Sequence, residues 1–530
     1  RVRRYLHAAT SRWNLQNMQA IGVMPRFRPL CGAYASSLRS SFMHYTGFPV
    51  ACAMVAAAGG HRSQTARRLP RSRHASTGFA LGIGRVREVL LEPREQIRFQ
   101  ADCALDLAAR AERDICLVGK QELLVKAARQ LAEELGQPMI LQQAEVMIAG
   151  YAGSRKEVSW MSGANMRTVS LVALPAEASR YVSPCRPDVI AKQLHGLVAG
   201  QDVILAVTEE DILAAGLAVG RCLSPFTAKV KSQDTSVCDV SFYGCRPSLE
   251  TLERLRLVSG SVRIAQGLVD MPPNVINPTS FKEFALEAVK DIASVTHRVI
   301  QGDELKQNGY GLLWGTGQCA VEPPCLLVLT HPGTGSEQEG VAIVGKGITF
   351  DTGGAALKSR DGMIGMKRDM GGAAGCFGTF LAAARAGGLP SGKPLHCILC
   401  LAENSIGSRS FVQDDILLGY SGLTVEVNNT DAEGRLVLSD GVAHAARHLN
   451  CDLIIDMATL TGAQGVSTGS HHATILATDE DLERDVIAAG RASGDMVHPG
   501  IFAPELLMHE FDSKFADMRN SVKNRSNAQS

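Results

Sequence analysis

From Phe79 onward the chain alternates short, almost wholly apolar runs with longer segments in which apolar residues recur every three or four positions. "DICLVG" is followed by "KQELLVKAARQLAEELGQ", and "QDVILAVT" by "EEDILAAGLAVGRCLS". The short runs predict strands, and the 3.6-residue recurrence predicts helices packed on them. Thr208, with Asp211 three residues on, is close to a capping box and predicts the start of the second helix. "RPSLETLERLRLVSGSVRIAQGLVDMPPN" then predicts a long linking helix that stops at Pro272 and Pro273, because proline disfavours helical geometry in the residue before it.

Past the prolines the alternation resumes with stronger signals. "VAIVGKG" predicts a buried strand, "GGAAGCFGTFLAAARAGG" a small-residue helix closed by glycines, and "LHCILCLAEN" another strand. "TVEVNN" predicts a strand, "GRLVLSDGVAHAARHLN" a helix ending near Asn450, and "DLIIDMATL" a strand after it. The expected fold is therefore α/β with two domains. Residues 79–244 form an N-terminal α/β domain, and residues 245–530 a C-terminal one with a mixed, largely parallel sheet flanked by helices. Ligands of such sheets sit at the carboxyl ends of the strands.

At 530 residues the length allows two to four domains of roughly 150 residues each. Lys+Arg 54 against Asp+Glu 53 gives a net charge of +1. That balance removes the whole-chain electrostatic argument for a nucleic-acid partner, and none is expected. The apolar run "VACAMVAAA" is far shorter than the roughly 20 residues that span a bilayer, so no membrane span is expected. Fourteen cysteines without a regular framework favour reduced thiols and a cytoplasmic location. Cys397 and Cys400 have the spacing of half a zinc site, but a strand points residues three apart to opposite faces, so the pair reads as core packing. No Asp or Glu precedes Glu88, and Arg and Ser are frequent. Residues 1–78 read either as a transit-like leader, with a mitochondrial or other organelle location, or as an upstream extension that never folds.

Two segments concentrate ionisable residues just past predicted buried strands: "VGKGITFDTGGAALKSRDGMIGMKRDMGG", 344–372, and "NTDAEGR", 429–435. Together they supply Asp351, Asp369, Asp431 and Glu433, with Lys346, Lys358 and Arg435 among them. Taken singly, each has a plainer reading: an Asp in "FDTGG" is commonly a turn or cap residue, and Lys346 an ordinary surface lysine. Their convergence carries the chemistry. Unpaired buried charges cost several kcal/mol, so something compensates these. An all-oxygen cluster suits Mg, Mn or Zn, and four acids exceed what one cation needs, which points to a two-metal site with bridging carboxylates.

"NTDAEGRL" resembles the signature octapeptide of the leucyl aminopeptidase family, the M17 metallopeptidases. "VGKGITFDTGG", "LKS" and "MKRDMGGAA" fall at the family's order and spacing. "LAENSIG", "YSGLTVEVNNTDAEGRLVLSDGV" and "DMATLTGAQG" resemble its probable aminopeptidase-like-1 branch. The resemblance covers roughly residues 265–522 and implies release of N-terminal amino acids, leucine among them, from peptides with a free N-terminus by a two-metal-activated water. It implies two divalent ions, Zn or Mn. Lys346, Asp351, Asp369 and Glu433 would bind the tighter one; Asp351, Asp431 and Glu433 would bind the more exchangeable one. Lys358 would stabilise the developing oxyanion, and Arg435 would hold a bicarbonate ion that shuttles the proton. Met366, Asn429, Thr459 and Leu460 match positions lining the family's first substrate pocket, and a homohexamer is the usual assembly. Thr352 stands where the family usually has Ser, a swap that keeps the hydroxyl.

Asp431 and Glu433, two residues apart, are expected on an extended segment that aims both at one metal pair. Arg435 is expected to open the following helix and to face the same cavity. The family continues past "ADMRNSVKNRSNAQS" with a glycine-rich helix, a Trp-containing strand and a closing helix. The chain is therefore expected to lack part of the pocket wall and to leave a sheet edge unpaired. A metalloaminopeptidase is the first reading; the alternative is a non-catalytic or incomplete family member that acts in binding or assembly.

Overall fold

The computed structural model describes residue 90 and residues 96–101, 113–196, 200–228, 237–336 and 339–524. The leader-like residues 1–78 lie outside the described residues. The first sheet has six strands: β1 (Ile97–Phe99), β2 (Ile115–Lys120), β3 (Arg155–Ser162), β4 (Asn165–Leu174), β5 (Asp202–Ala206) and β6 (Cys238–Tyr243). Their order is β1-β6-β5-β2-β4-β3. Every pairing is parallel except that of β3, which returns antiparallel on β4. Burial on both faces explains the uniform apolar runs. Ile115 and Leu117 of β2 enter a core with helices α1 (Gln121–Leu135) and α2 (Met139–Gly150). Cys116 and Val118 enter the opposite core with α3 (Pro187–Leu194) and α4 (Ile212–Gly220).

The capping box at Thr208 does not form. Thr208 is extended but its side chain caps nothing, and Glu209–Asp211 make a single 3-10 turn before α4. Asp211 instead pairs with Lys120 Nζ at 3.1 Å, a stronger partner than a backbone N–H for a buried carboxylate. Helix α5 (Leu249–Asp270) behaves as expected. Ser248 caps it by accepting from Thr251 N, and it stops before Pro272.

The second sheet is built of β7 (Thr296–Gln301), β8 (Cys325–His331), β9 (Gly340–Asp351), β10 (Leu395–Asn404) and β13 (Cys451–Met457), in the order β13-β9-β10-β8-β7. β9 runs parallel to both its neighbours, whereas β8 lies antiparallel to β10 and to β7. Alternation along β10 sends Cys397, Leu399 and Leu401 into a core with α5, α6 (Pro278–Val289) and α8 (Gly371–Arg385). It sends Ile398, Cys400 and Ala402 into the other core, with α7 (Gly311–Gly317) and α9 (Gly434–His448). Cys397 and Cys400 thus lie on opposite faces, as core residues. Gly372 lets α8 close onto the sheet: a Cβ there would meet Met457 O at 2.0 Å.

The strand expected over "TVEVNN" is shorter and sits elsewhere. β12 (Thr424–Glu426) belongs to a separate sheet with β11 (Ile416–Leu418) and β16 (Met518–Arg519). The second charged motif therefore follows a strand of this small sheet rather than the carboxyl end of a main-sheet strand. β14 (Ala473–Ile475) and β15 (Val497–Pro499) form a further parallel pair. Among the described residues no helix is long and apolar enough to cross a membrane.

Candidate active site

β9 contributes two of the predicted residues. Lys346 lies within the strand, opposite Cys400, and Asp351 ends it, opposite Asn404. Asp369 follows the single turn Met366–Arg368 and precedes α8, held by the bond from Ile348 N to its carbonyl at 3.2 Å. Glu433 stands at the N-cap of α9, and Asp431 in the turn before it. That segment is not extended as the sequence suggested. Ala432 N bonds Asn429 O at 3.1 Å, and Glu433 already has helical backbone angles.

The turn sends the two acids to different lysines. Lys346 is 2% exposed, so the surface-lysine reading fails. Its Nζ lies 2.8 Å from Asp369, 3.0 Å from Glu433 Oε1 and 3.0 Å from Thr459 O. Lys358 Nζ lies 2.7 Å from Asp351 Oδ2 and also contacts Asp431. Oxygens of Asp351, Asp369 and Glu433 converge within 4.8 Å of one another, and all three residues are buried. Asp431 joins that group through Lys358.

The electrostatics follow from burial and crowding. Burial pushes the Asp369 carboxyl up to about 7; Lys346 works against this, and the charges of Glu433 and Asp351 add to it. Asp351 is raised by burial and by Glu433, against the pull of Lys358. Burial opposes the charge on Lys346, but Glu433 and Asp369 outweigh it and hold the ammonium above its usual value. Lys358 is held up in the same way by Asp351 and Asp431, against burial.

The donor set fits divalent cations. Four carboxylates face two ammonium groups, which leaves negative charge for a cation to neutralise. Asp369 Oδ2 and Asp431 Oδ1 are buried without a hydrogen bond, although a lysine nitrogen stands within ion-pair range of each. Oxygens so placed can take a cation as well as face a lysine. For Lys346 to act as a ligand it must lose its proton, which a dication at this cluster favours.

The other predicted residues border the cluster. Thr459 donates its hydroxyl to Asp369 Oδ1 at 2.8 Å, and Leu460 beside it is 42% exposed. Met366 sits in the turn leading to Asp369. Asn429 Oδ1 accepts from Asp431 N at 3.0 Å. The Arg435 guanidinium lies over the Phe511 ring at 5.7 Å, and its buried Nε has no hydrogen-bond partner. Burial lowers its pKa, with Glu433 opposing. Thr352 uses the hydroxyl that the Ser-to-Thr swap preserves, donating to Asn404 O at 2.7 Å.

Sequence reasoning missed several supporting residues. Asn404 is fully buried, and its Nδ2 donates to Asp351 Oδ1 at 2.9 Å and Thr430 O at 3.0 Å. The polar break "EN" at the end of an apolar strand was the available signal. Thr430, also fully buried, ties the two motif loops together, donating to Gly353 O at 2.6 Å and accepting from Ala356 N at 2.7 Å. Gly434 leaves the space that Lys346 fills. Asn520, far along the chain, brackets the second motif and had no signal in spacing.

Comparison with known proteins points to one family. Residues 263–530 match the model of the cytosol aminopeptidase family catalytic domain, and residues 113–232 match M17 aminopeptidase N-terminal domain 2. Probable aminopeptidase NPEPL1 of Homo sapiens is 40% identical over 372 residues, covering 68% of this chain and 70% of that protein. Leucine aminopeptidase 1 of Caenorhabditis elegans is 37% identical over 356 residues, covering 66% of this chain and 72% of that one. The structure of leucyl aminopeptidase from Trypanosoma brucei in complex with bestatin aligns with TM-score 0.76 and 34% identity, covering 84% of this chain and 88% of that one. With residues 113–232 and 263–530 matched by the two domain models and the charged cluster assembled, the chain belongs to the cytosol aminopeptidase family, the M17 aminopeptidases.

Proposed function

We propose that this protein is a metal-dependent aminopeptidase that releases N-terminal amino acids from peptides, with apolar residues such as leucine among its substrates. The observation that carries the reading is the buried triad Asp351, Asp369 and Glu433, with oxygens within 4.8 Å and Lys346 and Lys358 paired to it. Lys346, Asp351, Asp369 and Glu433 would hold one divalent ion, and Asp351, Asp431 and Glu433 a second, as Zn or Mn. Bound there, the ions would supply Lewis acidity toward the scissile carbonyl and acidify a water.

The chain's own residues divide the remaining work. The Lys358 side chain is 17% exposed, whereas that of Lys346 is 3% exposed. Lys358 is thus the ammonium within reach of a substrate oxygen, where developing negative charge needs a donor. Arg435, with an unpartnered buried Nε, would hold bicarbonate, whose carboxylate-like oxygens accept the proton. Met366, Asn429, Thr459 and Leu460 would flank the first substrate side chain. An α-amino group offered to the metal at Asp431 would restrict cleavage to the N-terminus.

The reading extends to organisation. The domain boundary falls after residue 244, ahead of α5, with residues 245–530 catalytic. The family likeness supports a homohexamer acting in the cytoplasm. The test is direct: purified chain loaded with Mn or Zn is assayed on leucyl-amide and leucyl-peptide substrates, beside Asp351→Asn and Glu433→Gln. Release of free amino acid by the wild type alone supports the proposal. A folded, metal-loaded chain that releases none overturns it in favour of a binding or assembly role.

A further inference from the structure

We infer that Asn520 is a positioning residue for the second metal-binding loop, an inference that rests on the reading of Asp431 and Glu433 as ligands. Asn520 lies just past β16 and is 1% exposed. It spends all four hydrogen-bonding positions of its amide on one loop. Oδ1 accepts from Asn428 N at 3.0 Å and Asn429 N at 3.3 Å. Nδ2 donates to Asn429 O at 2.6 Å and Ala432 O at 3.2 Å. Its own N donates to Glu426 O at 3.1 Å, which extends the parallel pairing of β16 with β12 by one step.

The loop needs this partner because it has left one sheet and has not yet entered α9. Residues 428–432 can satisfy few of their main-chain groups among themselves, and buried main-chain groups must be paired. The Asn520 amide takes the place of a neighbouring strand. Its hold passes to the chemistry through Asn429, whose main chain it grips at both N and O and whose Oδ1 accepts from Asp431 N at 3.0 Å. Glu433 is secured independently, by its place at the start of α9 and by Lys346 at 3.0 Å. All four amide bonds go to main-chain atoms, so Asn520 acts through the loop and not on a substrate. Its loss should therefore weaken the ion that depends on Asp431 more than the ion held by Lys346 and Asp369.

The experiment counts bound metal rather than activity alone. The wild-type chain, Asn520→Ala, Asn520→Asp and Thr424→Val are dialysed against buffered Mn²⁺ over a range of free concentrations, and bound Mn is measured beside thermal unfolding. Asn520→Asp guards against an alanine variant that fails to fold: it keeps both accepted bonds but sets a carboxylate oxygen against Asn429 O and Ala432 O. Thr424→Val removes the two hydroxyl bonds to Asp517, at 2.7 and 3.0 Å, and keeps the one from Thr424 N at 2.8 Å, loosening the same small sheet away from the loop.

The expected result is that both Asn520 variants keep the first ion and bind the second 10- to 100-fold more weakly, on the order seen when outer partners of metal ligands are removed. Hydrolysis should recover at excess Mn²⁺. Second-ion affinity equal to wild type overturns the inference. So does an equal weakening in Thr424→Val at the same thermal stability, because the role would then be structural. A wild type that binds fewer than two ions overturns the two-ion reading itself, and this inference with it.

Discussion

Gly434 and Lys346 are packed so closely that a methyl group on Gly434 would lie 2.5 Å from Lys346 Cε and 2.8 Å from its Nζ. The glycine of the signature motif is thus a space reserved for a side chain from a strand nearly ninety residues earlier. Gly434→Ala should displace Lys346 from Asp369 and Glu433. Overpacking of this kind costs about 1–3 kcal/mol, while a misplacement of about 1 Å at a reacting centre costs roughly 100-fold in rate. Activity should therefore fall much further than stability, as measured by kcat/KM beside urea unfolding. Wild-type kcat/KM would show that Lys346 does not need its present place.

Metal removal should destabilise the protein through the same cluster. Four carboxylates served by two lysines repel one another, so chelation should lower Tm and Mn²⁺ or Zn²⁺ should raise it. An ion at 100 times its Kd adds about 2.7 kcal/mol by mass action. The metal-dependent shift should vanish in Asp351→Ala, and calorimetric scans with and without chelator check both statements.

Asn404 links the end of β10 to Asp351 and to the Thr430 carbonyl through one amide nitrogen. Asn404→Ala leaves the buried Thr430 carbonyl without its donor and Asp351 Oδ1 with Gly353 N alone, at 2.8 Å, a loss of about 1–3 kcal/mol, and should lower metal affinity roughly 10- to 100-fold. Asn404→Asp, nearly the same in shape, sets a carboxylate oxygen against Asp351 Oδ1 and should destabilise the metal-free protein more than Asn404→Ala does. Equilibrium unfolding and metal titration separate the two variants.

Asp440, fully buried, caps α7 from the middle of α9. Its Oδ2 accepts from Leu312 N at 3.0 Å and Leu313 N at 2.9 Å, and its Oδ1 from Tyr420 N at 2.7 Å. Removing it strands three N–H groups away from water. Asp440→Ala should destabilise by about 3–5 kcal/mol without altering metal stoichiometry, as read by urea unfolding and metal analysis.

His444 gives a pH dependence of defined sign. It is buried beside Tyr310, whose Oη lies 2.7 Å from Nδ1. Burial, with the nearby His448 adding, pushes its pKa down to about 4. The unfolded imidazole titrates near about 6.5, so the unfolded chain binds more protons between these values. The stability contribution is complete above about 6.5 and is lost as pH falls toward 4. The stability of wild type relative to His444→Gln should fall by about 1–3 kcal/mol across that window. A difference that does not change with pH would contradict the buried neutral ring.

How much of this was legible depends on the range of the signal. The strands at Ile115–Lys120, Gly340–Asp351 and Leu395–Asn404 were readable because burial on both faces demands apolar residues at every position. α5 was readable because Pro272 ends it. The Thr208 cap was misread because Asp211 found Lys120, a partner the local pattern does not contain. The small sheet holding β12 was misplaced because its partner β16 lies about ninety residues away, and no local pattern announces a strand of two residues.

The sequence by itself determined the chemistry: which carboxylates, lysines and arginine exist, and in what order along the chain. Spacing shows that these ionisable residues gather in two segments past apolar runs, and the resemblance of those segments to the M17 motifs implied a role for each. Only the tertiary structure decided the pairing. It sends Glu433 to Lys346 and Asp431 to Lys358, because a turn and a helix start point adjacent acids in different directions. It also selects Asn404, Gly434 and Asn520 as supports. Hydrogen bonds and close contacts act over about 3 Å in space, and the chain distances they bridge leave no period for a sequence to display.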